Sequence, residues 1–189
     1  MSIPGIALLG RARSGKDTVA ARLVERYAYT RVAFADPLRA VGLAADPIVS
    51  AEAAHFGYVP VRLSEAVERH GWEKAKTILP EVRRTLQNFG QAVRDVDPDF
   101  WLNLMLERLD VAASWNLPVV VTDTRYVNEA TALQARGFTL VRIVRPGAGT
   151  REHVSETELD SFPADVTVAN VGSVADLHTQ ADRLVQSVG

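Results

Sequence analysis

Nine consecutive residues, Gly10-Arg11-Ala12-Arg13-Ser14-Gly15-Lys16-Asp17-Thr18, restrict this chain more than any other feature. They follow an apolar run, Ile3 to Leu9, that reads as a fully buried strand. They lead into a helix predicted from Lys16, with Val19, Ala20, Leu23, Val24 and Tyr27 on one face. A G-x-x-x-x-G-K pattern at such a strand-to-helix turn builds an anion cradle. Gly10 and Gly15 admit backbone conformations that a Cβ hinders, so successive N–H groups turn inward at the positive end of the helix dipole. Lys16 adds an ammonium suited to β and γ phosphates. The usual Ser or Thr after the lysine is Asp17 here, and Thr18 comes one place late. Asp17 in the magnesium-facing position offers a hard oxygen to the ion, directly or through water, which leaves Thr18 to bond a phosphate oxygen. The plainer reading is a Gly-rich turn that holds no ligand.

Short apolar strands continue at Thr30 to Phe34, Leu117 to Thr122, Thr139 to Val144 and Val166 to Ala169, alternating with helical patterns. That alternation predicts an α/β fold with a central parallel sheet flanked by helices. Residues 46–80 look least regular, punctuated by Pro47, Pro60 and Pro80, with one helix from Ser64 to His70. Helices are predicted over Glu81 to Val96 and from Asp99 onward, so the stretch 46–115 reads as mostly helical within a single domain of 189 residues.

Composition narrows the chemistry. A net charge of -2 argues against a broad surface for a nucleic-acid polymer. The absence of cysteine removes disulfides, thiol catalysis and thiolate metal sites. His55, His70, His153 and His178 share no metal-ligand spacing. No apolar run nears the roughly 20 residues that span a bilayer, and the opening Met-Ser-Ile-Pro lacks the basic segment of a signal peptide. A cytoplasmic protein with no membrane partner is expected.

In open α/β sheets ligands bind beyond the carboxyl ends of the strands. The predicted strands end at the cradle, at Asp36 with Arg39 a turn on, at Asp123 with Arg125 beyond, and at Arg145 with Arg151 in the following loop. Val119 to Asp123 resembles a Walker B strand, whose Asp faces magnesium; a helix cap is the plainer role for Asp123, and a salt bridge to an acid such as Glu129 for Arg125. Arg84, Gln87, Gln91 and Arg94 form a polar stripe at helical spacing, suited to a phosphate and a base edge. Spacing alone favours a solvated face for it. Trp72, Trp101 and Trp115 suit base stacking or, more plainly, core packing.

The whole pattern resembles the bacteriophage-type deoxynucleoside monophosphate kinases, in the P-loop nucleoside-phosphate kinase superfamily. The likeness rests on Arg13-Ser14-Gly15-Lys16-Asp17-Thr18, on Phe34-Ala35-Asp36-Pro37-Leu38, and on Arg84 to Gly90 with Arg94 following. It rests also on Asp123-Thr124-Arg125-Tyr126-Val127-Asn128-Glu129-Ala130 and on Ala169 to Ser173. The resemblance implies a three-layer P-loop sandwich that moves the γ-phosphate of ATP to a deoxynucleoside monophosphate, with magnesium, as a possible homodimer. It assigns Gly10 through Thr18, with Arg145 and Arg151, to ATP, and Asp17, Thr18 and Asp123 to magnesium. Lys16, Arg13, Asp17 and Arg125 become the catalytic candidates, Arg13 between donor and acceptor. Asp36, Arg39, Arg84, Gln87, Arg94 and Arg125 become acceptor candidates, which makes 46–115 an acceptor-binding insert. Residues 145–163 become a lid-like segment, in which His153 and Glu156 take either site or scaffold roles. Two other readings compete: a kinase for another phosphorylated metabolite such as phosphomevalonate, and a nucleotide-dependent switch or binding module. The missing Asn-Lys-x-Asp guanine motif counts against a GTPase-like switch.

Overall fold

A computed structural model describes residues 5–149 and 158–188. Two compact units emerge: one comprises the chain up to Phe34 and again from Leu102, the other Ala35–Trp101.

The first unit is built on five parallel strands in the order β2-β5-β1-β6-β7. They are β1 (Ile6–Leu9), β2 (Thr30–Val32), β5 (Val119–Val121), β6 (Thr139–Val144) and β7 (Val166–Ala169). Every residue of β1 is buried, as expected of a central strand covered on both faces. Side chains alternate across a strand, and this splits the core in two. Ala7 and Leu9 join Val119, Val121 and Leu140 in one cluster, while Ile6 and Leu8 join Val120, Val141 and Ile143 in the other. Residues of α5 (Phe100–Ser114) and α6 (Val127–Ala135) complete the first cluster, and those of α1 (Lys16–Tyr27) and α7 (Val174–Val188) complete the second. The result is the expected helix–sheet–helix sandwich. On its outer layer Arg22 forks onto Asp182, Nε and Nη2 lying 2.9 and 2.8 Å from the two carboxylate oxygens. Ser173 and Asp176 close a reciprocal cap at the start of α7.

The second unit holds α2 (Ala35–Ala45), β3 (Ile48–Ala54), β4 (Gly57–Arg62), α3 (Leu63–Ile78) and α4 (Pro80–Val96). Its core is small: Val49, Val61, Leu63, Ala66, Ala75, Val82 and Leu86. Trp101 is buried and donates its indole N–H to the Gly90 carbonyl at 3.1 Å.

The structure corrects the reading of 46–80. An antiparallel hairpin, β3–β4, stands where irregular chain was expected, and the helix after it runs to Ile78 through a kink at Gly71. Only Val49 of β3 and Val61 of β4 are buried, so no apolar alternation marks the strands. Pro60 looked like a breaker, yet both strands of a two-stranded sheet are edges, where proline is tolerated. Trp115 is also corrected: it is 74% exposed rather than core. Arg151, His153 and Glu156 lie outside the described residues.

Candidate functional site

The turn between β1 and α1 has the backbone that its glycines predicted. Gly10, Arg13 and Gly15 take φ of 133°, 63° and 109°. A Cβ on Gly10 would stand 2.4 Å from the Ile143 carbonyl oxygen, and one on Gly15 would stand 2.6 Å from Asn170 Nδ2. Both positions therefore demand glycine on conformation and on space. Arg13 is a non-glycine held in the left-handed region, a strain that accompanies ligand-binding loops. Asn170 donates its side-chain amide to the Ser14 carbonyl at 2.8 Å and so pins the turn to the end of β7.

Lys16 lies across the turn. Its Nζ donates to the carbonyls of Gly10 at 2.6 Å and Arg11 at 2.8 Å. Helix α1 starts at Lys16 with Gly15 as its N-cap and no side-chain cap. Its first-turn N–H groups thus sit at the positive end of a 12-residue helix without a carboxylate or hydroxyl cap. Asp17 is exposed and Thr18 half-buried. Asp17 borders a shallow hollow with Ala20, Ala21, Val24 and Glu25 of α1 and Arg31 of β2.

Beside the turn lies a cavity of about 380 Å³. Gly10, Arg11 and Ser14 form one side, Thr124 and Arg125 another, and Arg142 to Arg145 with Gly147 to Gly149 a third. Among the described residues of this lining, Asp160 is the one carboxylate, against four arginines. It pairs with Arg11, Oδ2 to Nη2 at 2.5 Å, and Arg142 donates to the carbonyls of Asp160 and Phe162. The strand ends and the turn thus make a cationic hollow, the place where an α/β sheet binds ligands.

The residues after β5 divide into structural and cavity-facing groups. Asp123 accepts the Phe34 N–H at 2.7 Å and ties the end of β5 to the chain after β2. Glu129, 1% exposed, takes the capping role at α6: one oxygen accepts the N–H groups of Arg125 at 2.8 Å and Tyr126 at 3.2 Å. The expected meeting of Arg125 and Glu129 therefore includes the Arg125 backbone, while Arg125 itself lines the cavity.

In the second unit the acceptor candidates lie on α2 and α4. Arg39 stands 3.6 Å from Asp36 and 3.2 Å from Glu73, with its guanidinium 5.5 Å above the Trp72 ring. Arg84 is 70% exposed and pairs with Glu81 at 2.5 Å. Gln87 and Gln91 are exposed and Arg94 is half-buried, so the stripe 84, 87, 91, 94 is the open face of its helix. The structure gathers the turn, Arg125 and Arg145 into one neighbourhood of the first unit. Asp36, Arg39, Arg84, Gln87 and Arg94 belong to the second. Among the described residues no group of three or more His, Asp or Glu is placed to hold a metal, and no helix is long and apolar enough to cross a membrane.

Sequence reasoning passed over Thr124, Arg142 and Asp160. Arg142 sits mid-strand, and Thr124 was only a spacer between two charged residues. Their signal was weak because proximity across strands β1, β5 and β6 is what gives them meaning.

Comparison with known proteins agrees with this architecture. The family model described as deoxynucleotide monophosphate kinase matches residues 50–181. A protein of that description from Escherichia phage RB69 is 31% identical over 109 residues, 56% of this chain and 45% of that one. The Enterobacteria phage T4 protein of the same description is 33% identical over 103 residues, covering 52% and 43%. The chain thus spans less than half the length of these two relatives. A third match, to an Acanthamoeba polyphaga mimivirus protein at 26% identity, extends over 93% of this chain and 92% of that one. With its matched region covering well over half of the residues, the chain belongs to the deoxynucleotide monophosphate kinase family.

Proposed function

We propose that this protein transfers the γ-phosphate of ATP to a deoxynucleoside monophosphate, giving ADP and the deoxynucleoside diphosphate. The observation that carries the reading is the Gly10–Lys16 turn: two glycines at positive φ and an ammonium across the loop, at a helix start with no side-chain cap. Such a P-loop grips a polyphosphate through fixed donors that need no reorganisation. Family membership supplies the acceptor class.

Transfer between two anions is mostly positioning and charge neutralisation. Lys16 and the turn amides hold the donor phosphates, Arg13 is the cation for the space between donor and acceptor, and Arg125 and Arg145 add positive charge at the cavity wall. Asp36, Arg39, Arg84, Gln87 and Arg94 are the acceptor candidates within the insert, and residues 145–163 are its lid-like counterpart in the first unit. Asp17, Thr18 and Asp123 supply the hard oxygens that magnesium takes, directly or through water. When bound, that ion neutralises the phosphate oxygens. The reaction belongs to the cytoplasm, and the family resemblance further implies a homodimer, which light scattering checks.

A coupled ADP-release assay over dAMP, dGMP, dTMP, dCMP and phosphomevalonate tests the reading. Transfer to one or more deoxynucleotides is expected. Activity on phosphomevalonate alone, or ATP hydrolysis without transfer, overturns it.

A further inference from the structure

Among the described residues, three buried side-chain polar atoms have no hydrogen-bond partner: Ser14 Oγ, the Tyr29 hydroxyl and Thr124 Oγ1. Ser14 and Thr124 line the same cavity. They are 1% and 2% exposed. A buried hydroxyl left without a partner is costly, so two beside one cavity point to an acceptor supplied by an occupant. The lining identifies its chemistry. Among the described lining residues four arginines, Arg11, Arg125, Arg142 and Arg145, outnumber one carboxylate, Asp160, and this excess of positive charge repels a cationic guest and favours an oxyanion. A hydroxyl rotates to donate, and phosphate oxygens accept several such bonds. Ser14 belongs to the turn after β1, whereas Thr124 follows the end of β5, and both line the cavity with Gly10.

We infer that Thr124 is a phosphate-binding residue: its hydroxyl donates to a non-bridging oxygen of a phosphoryl group seated in the cavity beside Gly10, Ser14 and Arg125. The inference deepens the kinase reading and rests on it for the identity of the phosphate as part of ATP. It gives the cavity a neutral donor next to its cations. Such a donor fixes the direction of an oxygen where a flexible guanidinium supplies mainly charge.

The test uses Thr124→Val, which keeps the shape and deletes the hydroxyl, and Thr124→Ser, which keeps the hydroxyl. Calorimetric titration with inorganic tripolyphosphate is expected to show binding about tenfold weaker in Thr124→Val, with most of it restored in Thr124→Ser. The melting temperature of Thr124→Val is expected to equal or exceed that of the parent, because an unsatisfied buried hydroxyl has been removed. A structural role predicts the reverse. Parent-like tripolyphosphate affinity in Thr124→Val overturns the inference, as does a parent protein that binds no tripolyphosphate. The two readings fail separately. Absence of transfer to every monophosphate, with tripolyphosphate binding still dependent on the hydroxyl, ends the kinase reading and keeps this site. Normal transfer with no effect of Thr124→Val does the opposite.

Discussion

In the sheet unit, Arg11, Arg125, Arg142 and Arg145 converge on one cavity from three separate stretches of chain. In the insert, Arg39, Arg69 and Arg84 lie on helices and each meets an acid three or four residues away: Asp36, Glu65 and Glu81. Arg39 and Arg69 also reach Glu73 and Glu52, 34 and 17 residues away, whereas in the first unit Arg11 pairs with Asp160 and Arg22 with Asp182 across 149 and 160 residues. Helical neighbours create local pairs wherever opposite charges fall at the right spacing, and on exposed faces they add little stability. Parallel strands carry distant residues to a shared end, so charge there is concentrated by topology. The cores differ in the same sense. One is a sheet packed on both faces; the other is a small cluster beneath an exposed hairpin.

The sharpest way to break this comparison is to remove equal side chains from the two cores. Leu8→Ala, at a position with no exposure, is expected to cost about 3–5 kcal/mol in denaturant unfolding, and Leu86→Ala, at 8% exposure, about 2–3 kcal/mol. Equal costs would mean that the insert is as tightly packed as the sheet. Next in size, Lys16→Ala is expected to lower the rate of phosphoryl transfer by about 10²–10³-fold with the fold retained, checked by ADP release and circular dichroism. Near-normal turnover removes Lys16 from the chemistry.

A smaller effect is expected on the open face of α4. Arg84→Ala should raise the KM for the monophosphate severalfold, roughly the loss of one charge-assisted contact, with little change in the KM for ATP or in melting temperature. An unchanged monophosphate KM makes the stripe a solvated face. The smallest expected effect concerns Asp182. Its hydrogen bond and charge interaction with Arg22 hold its carboxyl at about 2, below the ordinary 3.8, although partial burial opposes this. A depressed folded value stabilises above the unfolded one, and that contribution is lost as pH falls through about 2. Asp182→Asn is therefore expected to melt roughly a few degrees lower at neutral pH, with the gap closing as pH drops from about 4 toward 2. A gap independent of pH removes the ion pair as its cause.

Much of the sheet unit was legible because its signals are local and strong. Gly10 and Gly15 announced a turn that only glycine fits, and the apolar runs ending at Leu9 and Thr122 announced strands that are wholly buried, β1 and β5. The hairpin was illegible because its strands bury one residue each. Asp123 and Glu129 stood close together in a recognisable signature, yet sequence did not divide their labour: Glu129 caps the helix, and Asp123 holds the Phe34 backbone.

What the amino-acid order determined alone was the glycine turn and the alternation that makes a parallel sheet, since backbone freedom, helix polarity and apolar runs act within a few residues. Only tertiary structure decided which distant groups share the hollow at the strand ends. Strand order set β1 between β5 and β6, and that placement, not any spacing along the chain, brought Thr124 and four arginines around the space beside Gly10.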